Sequence, residues 1–138
     1  MKLPNEHSIE DQVSPVSLAI LQDAIHNNAK GKGFYEGVDL QGPPAKELVS
    51  SLVANLHGEV SEFWEAFRNG KLGSPCDKAE KMAELGLMPL NCAEEELADI
   101  VIRAFDSAGA LGIDLGRAII AKHNYNTTRS HRHGGKQA

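Results

Sequence analysis

Polar and apolar residues along this chain repeat with the period of a helix rather than of a strand. Leu18, Leu21, Ile25 and Ala29 recur at helical spacing behind Ser14-Pro15, an N-cap followed by proline at the first helical position. The pattern predicts a first helix from Pro15 to about Lys30, ended by Gly31 and Gly33. Pro43-Pro44 opens a second helix, in which Val49, Leu52, Val53, Leu56, Val60, Phe63, Trp64 and Phe67 form one apolar stripe that stops at Asn69-Gly70. At about 100° per residue, Glu59 falls at the edge of that stripe beside Leu52, and Glu62 lies one step further round. Glu59 is therefore predicted to be partly buried.

Residues 71 to 90 form a connector. Within it Ser74-Pro75-Cys76-Asp77 reads as the capped start of a short helix reaching about Leu85, with Gly86 as its stop. Asn91-Cys92-Ala93-Glu94 has the N-cap and N3 acid of a capping box. The helix it starts carries Leu97, Ile100, Val101, Ile102, Ala104, Phe105, Ala108 and Leu111 round most of its circumference. Only a narrow strip stays polar: Glu96, Asp99, Arg103 and Asp106. A helix apolar nearly all round is normally buried, so this strip faces either solvent or an internal polar site. Gly112 caps its end, and Asp114 begins a last helix over about Leu115 to Thr128, which places Lys122, Asn126 and Arg129 on one face at i, i+4 and i+7. Residues 1–13 read as a loose arm, and 130–138, with His131 and His133, as a flexible tail.

Composition narrows the class. A chain of 138 residues, 41% hydrophobic and 24% charged, fits a single soluble domain spanning 1–138. With aromatics at only 5% and no strand-like runs of β-branched residues, the expected fold is all-α, a bundle of four to five helices. The net charge of −5 argues against binding to polymeric nucleic acid, which requires a basic surface. No apolar run approaches the roughly 18 residues of a membrane span, so no membrane partner is expected. No leader begins the chain, and Cys76 and Cys92 read as free thiols of a reducing compartment, so the expected location is the cytoplasm. The apolar stripes of the two long helices exceed what a lone domain of this size buries, which predicts a homo-oligomer.

The candidate chemistry lies in two acidic pairs. Glu59-x-x-Glu62 and Glu96-x-x-Asp99 each place two carboxylates one turn apart on one helix face. Packed side by side, the two helices aim four carboxylates at one small volume, which is costly without a hard divalent cation. An all-oxygen ligand set favours Mg²⁺, with Mn²⁺ as its substitute, over zinc. A single such pair equally decorates a solvated face, because glutamate is a good helix former. Lys122, Asn126 and Arg129 suit phosphate groups, or complement a helix C-terminus. The turn from Lys30 to Tyr35, with Lys32 between two glycines, is either a nucleotide-contacting loop or a plain helix end.

Taken together, Leu56-His57-Gly58-Glu59-Val60-Ser61-Glu62, then Glu95-Glu96-Leu97-Ala98-Asp99-Ile100, then Lys122-x-x-x-Asn126-x-x-Arg129 resemble the all-α nucleoside triphosphate pyrophosphohydrolases of the MazG-like superfamily. The signature of that group is E-x-x-E, a connector, then E-x-x-D, and the likeness runs from the first helix to Arg129. It implies a helical bundle assembled as a dimer or a dimer of dimers. It implies a catalytic Mg²⁺ held by Glu59, Glu62, Glu96 and Asp99. The implied reaction is hydrolysis of an NTP or dNTP between the α and β phosphates, giving a monophosphate and pyrophosphate. Lys122, Asn126 and Arg129 match the positions that handle phosphates, Lys32 and Arg103 are the further candidate substrate contacts, and Glu62 is preferred for orienting or deprotonating the attacking water.

The chain departs from the group's pattern in three places. Its connector between Glu62 and Glu96 is longer than usual, position 58 is Gly where some relatives place another acid, and Arg103 stands where some carry an aromatic residue that stacks on a base. The alternatives are a phosphoribosyl-ATP pyrophosphohydrolase-like enzyme and a non-catalytic helical module that dimerises through the Trp64 stripe to bind a partner.

Overall fold

The molecule, described by a computed structural model at residue 9 and residues 12–130, is all-helical. The helices are α1 (Pro15–Gly31), α2 (Lys46–Arg68), α3 (Ala79–Glu84), α4 (Cys92–Leu111) and α5 (Leu115–Thr127). The loose-arm and tail readings, and His131 and His133, fall almost wholly outside the described residues.

Helix ends follow the local chemistry of the sequence. The Ser14 hydroxyl accepts the Ser17 N–H at 3.3 Å and starts α1. At the head of α4 both arms of the capping box form: Asn91 accepts the Glu94 N–H at 2.8 Å, and the Glu94 carboxylate accepts the Asn91 N–H at 3.0 Å. Gly112, at φ +68°, closes α4 in the left-handed conformation that favours glycine. Asp114 then caps α5 through the Arg117 N–H at 3.1 Å.

The connector is where local reading and structure part. The short helix begins only at Ala79, and its N-cap residue, Lys78, makes no side-chain capping bond. Tertiary hydrogen bonds claim the preceding segment instead. The Cys76 N–H donates to Leu90 O at 3.0 Å, the Cys92 N–H to Ser74 O at 2.9 Å, and the Ala93 N–H to Leu72 O at 3.0 Å. The connector is thereby stitched to the first turn of α4, and the Asp77 carboxylate accepts from Lys78 Nζ at 3.0 Å rather than capping.

α4 is the central element: α1 and α2 both pack against it, and α5 packs on α1. Glu59 of α2 meets Arg103 of α4, while Glu62 lies by Glu96, so α2 and α4 run antiparallel. α1 approaches α4 closely enough that a Cβ on Gly109 would lie 2.6 Å from His26 Cγ, and a Cβ on Gly116 of α5 would lie 2.5 Å from Leu18 Cβ. His26 is itself held, its Nδ1 lying 2.8 Å from Asp106 Oδ1, while the Tyr35 hydroxyl donates to Asp106 Oδ2 at 2.7 Å. Gln22 ties α1 to the α4–α5 corner by donating to Ile113 O at 2.7 Å and accepting the Leu115 N–H at 3.1 Å.

The stripes are covered only in part within one chain. Leu52 is buried, but Trp64 is 56% and Phe67 55% exposed, and Leu97, Val101 and Ile102 of α4 also face outward. The polar strip of α4 is what turns inward: Glu96, Asp99 and Arg103 are half-buried and Asp106 is buried.

Gly109→Ala is expected to lower stability by about 1–3 kcal/mol, the usual cost of overpacking a tight contact, because Asp106 prevents His26 from retreating. Urea denaturation of the two proteins measures it; an unchanged midpoint would show that α1 and α4 are not in close contact there.

Candidate metal centre

The inward strip of α4 meets the Glu59 edge of α2, and this builds the centre. One carboxylate oxygen from each of Glu59, Glu62, Glu96 and Asp99 lies within 4.8 Å of the other three. Two antiparallel helices, each presenting acids one turn apart, produce the cluster without any irregular backbone. Glu62 is the most open member; the other three are half-buried.

The electrostatics match that crowding. Removal from water, followed by the charges of Glu62, Glu95 and Asp99, pushes the Glu96 carboxyl up to about 7 from an ordinary 4.5. Asp99 is also raised, by burial first and then by Glu59 and Glu95, with Lys78 pulling the other way. Glu96 Oε2 is buried and has no hydrogen-bond partner. A buried carboxylate oxygen without a donor is the group a bound cation satisfies.

Cations bracket the cluster. At one end Arg103 Nε donates to Glu59 Oε1 at 2.9 Å, and its guanidinium carbon lies 5.9 Å from the centroid of the Phe34 ring. At the other end Lys78 Nζ donates to the buried Glu95 as well as to Asp77. Cys76, Asp77 and Glu95 form a second group of close ligand atoms, whose two carboxylates share the single ammonium of Lys78.

Two hollows flank the carboxylates. A cavity of about 510 Å³ lies between the α1–α2 loop, α2 and α4, with Phe34, Tyr35, Leu52, Asn55 and Arg103 in its wall. A groove of about 570 Å³ lies on the connector side, walled by Glu62, Glu96, Lys71 and Lys78.

The sequence-predicted residues are thus distributed unevenly. Glu59, Glu62, Glu96, Asp99 and Arg103 come together. Lys122 and Asn126 are exposed on α5, which packs on α1, Arg129 is exposed just past its end, and none of them lines either hollow. Lys122 instead lies 4.8 Å from the Tyr125 ring. Lys32 is exposed at the C-cap of α1, where its N–H donates to Asn28 O at 3.0 Å. Sequence reasoning missed Lys78 and Glu95; Glu95 was findable, being one turn before Asp99 on the same helix face.

A carboxyl whose pKa is higher folded than unfolded opposes folding once it ionises. Its stabilising effect is complete below the unfolded value, near 4.5 for Glu96, and is lost as pH rises through about 7. Without divalent cations, the thermal midpoint is therefore expected to fall between pH 5 and pH 8, and Glu96→Gln to flatten that slope. Calorimetry in chelator reads both; a midpoint that does not fall over this range would mean the acids are well solvated.

Compared with models of known families, with curated proteins and with solved structures, the chain matches none of them.

Proposed function

We propose that the protein is a Mg²⁺-dependent nucleoside triphosphate pyrophosphohydrolase, acting on an NTP or dNTP. The observation that carries this reading is the convergence of Glu59, Glu62, Glu96 and Asp99, with an unpartnered buried oxygen on Glu96. The donor set fits the cation: four carboxylates and no nitrogen or sulfur ligand suit Mg²⁺ or Mn²⁺. A divalent ion held there supplies the charge neutralisation that phosphoryl substitution requires.

The chain's own residues supply position and proton traffic. Water attacks the α-phosphorus, a new P–O bond forms, and the bond from that phosphorus to the α–β bridging oxygen breaks. Pyrophosphate leaves with the bridging oxygen. Glu62, the most open acid of the four, takes the proton from the water and returns it to solvent. Arg103 keeps Glu59 in place and offers its remaining N–H groups toward the cavity.

A homo-oligomer completes the reading. The exposed Val53, Val60, Trp64 and Phe67 of α2 form the apolar face that a second copy covers. The same face suits a non-catalytic dimerising module, so the decision between the two rests on the carboxylates. Lys122, Asn126 and Arg129 retain a phosphate role only where a neighbouring subunit brings α5 over the centre.

A panel of ribo- and deoxyribonucleoside triphosphates with phosphoribosyl-ATP, assayed with Mg²⁺, is expected to yield pyrophosphate and not orthophosphate. Glu59→Gln and Glu96→Gln should each lower the rate by more than about a hundredfold with helicity intact. Wild-type turnover of no member of the panel, or full activity in both variants, would rule this reading out. Light scattering should give a dimer or larger assembly, and Trp64→Glu should dissociate it.

A further inference from the structure

Beside the four-carboxylate centre lies a second cluster of different chemistry. The Cys76 sulfur and one carboxylate oxygen each from Asp77 and Glu95 lie within 4.8 Å of one another, where the connector meets the first turn of α4. Backbone hydrogen bonds fix the two segments against each other. The Cys76 N–H donates to Leu90 O at 3.0 Å, its carbonyl accepts the Ala79 N–H at 3.1 Å, and the Cys92 N–H donates to Ser74 O at 2.9 Å. Cys76 and Glu95 are both buried, while Asp77 is exposed and free to adjust its side chain.

Two features set this cluster apart from an ordinary group of surface acids. The first is the thiol. A buried cysteine usually packs as a small hydrophobe. Cys76, only 5% exposed, instead holds its sulfur beside two carboxylates and has no hydrogen-bond partner among the described residues. The second is that a cationic group already stands here, because the Lys78 ammonium donates to both Asp77 and Glu95. One ammonium against two carboxylates leaves a negative charge over, and the thiol adds another once it ionises. A divalent ion with Lys78 close by balances these three anionic donors. The Lys78 side chain is largely exposed, so it can give up its place without being stranded.

We propose that Cys76, Asp77 and Glu95 form a second cation site, one that takes a thiophilic divalent ion of the Zn²⁺ class and clamps the connector to α4. A sulfur with two carboxylate oxygens is a donor set that suits Zn²⁺ and not Mg²⁺, which binds through oxygen alone. Around a tetrahedral ion with bonds of about 2.0–2.3 Å, neighbouring donors stand roughly 3.5 Å apart. Closing to that spacing from within 4.8 Å asks only for side-chain rotation, which the exposed Asp77 supplies. The ion releases the thiol proton to solvent and takes the place of the Lys78 ammonium between the carboxylates. Three protein ligands leave the fourth position of the tetrahedron to water. The two centres then divide cations by hardness: Glu59, Glu62, Glu96 and Asp99 offer oxygen only, and Cys76 introduces sulfur. This site is independent of the pyrophosphohydrolase reading, since none of its three ligands belongs to the four-carboxylate set.

The test titrates the full, reduced chain with Co²⁺ as a spectroscopic substitute for Zn²⁺, with Mg²⁺ in excess to occupy the all-oxygen centre. Wild type is expected to develop a thiolate-to-cobalt charge-transfer absorption that saturates at equimolar Co²⁺ and is bleached by Zn²⁺. Cys76→Ser should abolish the band. Asp77→Asn, at an exposed position that puts the fold at little risk, should weaken Co²⁺ binding more than about tenfold, the least that an outer-sphere partner of a metal is worth. Cys92→Ser should leave the band unchanged, because the Cys92 sulfur lies against Pro75 O at 3.7 Å and outside the cluster. No charge-transfer band in wild type, a band that survives in folded Cys76→Ser, or one lost in Cys92→Ser overturns the assignment. Where Cys76→Ser does not fold, unchanged Co²⁺ affinity in Asp77→Asn overturns it instead.

Discussion

Everything in this molecule depends on what happens where α2 and α4 meet: four carboxylates face one another, three of them half-buried. Repulsion among like charges and the loss of hydration both oppose that packing. The fold answers at the margins with opposite charge, Arg103 on Glu59 at one end and Lys78 on Glu95 at the other. Neither cation reaches the middle, and the consequence is visible on Glu96, whose carboxyl is pushed up to about 7 and whose Oε2 lacks a donor. The centre of the cluster is therefore the place where its negative charge is least compensated.

The remaining helices hold that arrangement in register. α1 lies so close to α4 that Gly109 has no room for a side chain, and His26 joins Asp106 across the contact. Tyr35 donates to the second oxygen of the same aspartate, so the turn after α1 is fastened to α4 as well. Burial and the hydrogen bond to Asp106 raise the Tyr35 pKa, so its hydroxyl remains a donor at physiological pH. Phe34 thereby comes to rest near the Arg103 guanidinium, and one polar cluster both braces the bundle and shapes the cavity beside the carboxylates. On the outer side Trp64 packs on Phe67 with ring centroids 5.5 Å apart, an aromatic pair that stays exposed within one chain.

Much of this is determined by sequence alone, because it is local. Caps at Ser14, Asn91 and Asp114, the glycine stop at Gly112, and the spacing of each acidic pair are set by residues within one helical turn of each other, so chain order suffices to find them. The partial burial of Glu59 followed from its place beside Leu52 on the helix surface. What only the tertiary structure decided is long-range. Nothing near Ser74 announces that its carbonyl will accept from Cys92 and delay the short helix, or that Lys78 will arrive on Glu95 from the far side of the connector. Periodicity identified the strip of α4 but not its direction; packing against α2 turned it inward and left Leu97 and Val101 outside. The same rule explains Lys122, Asn126 and Arg129: spacing placed them on one face, and the docking of α5 on α1 took that face away from the carboxylates, because a helix carries information about its own surface and none about its neighbour.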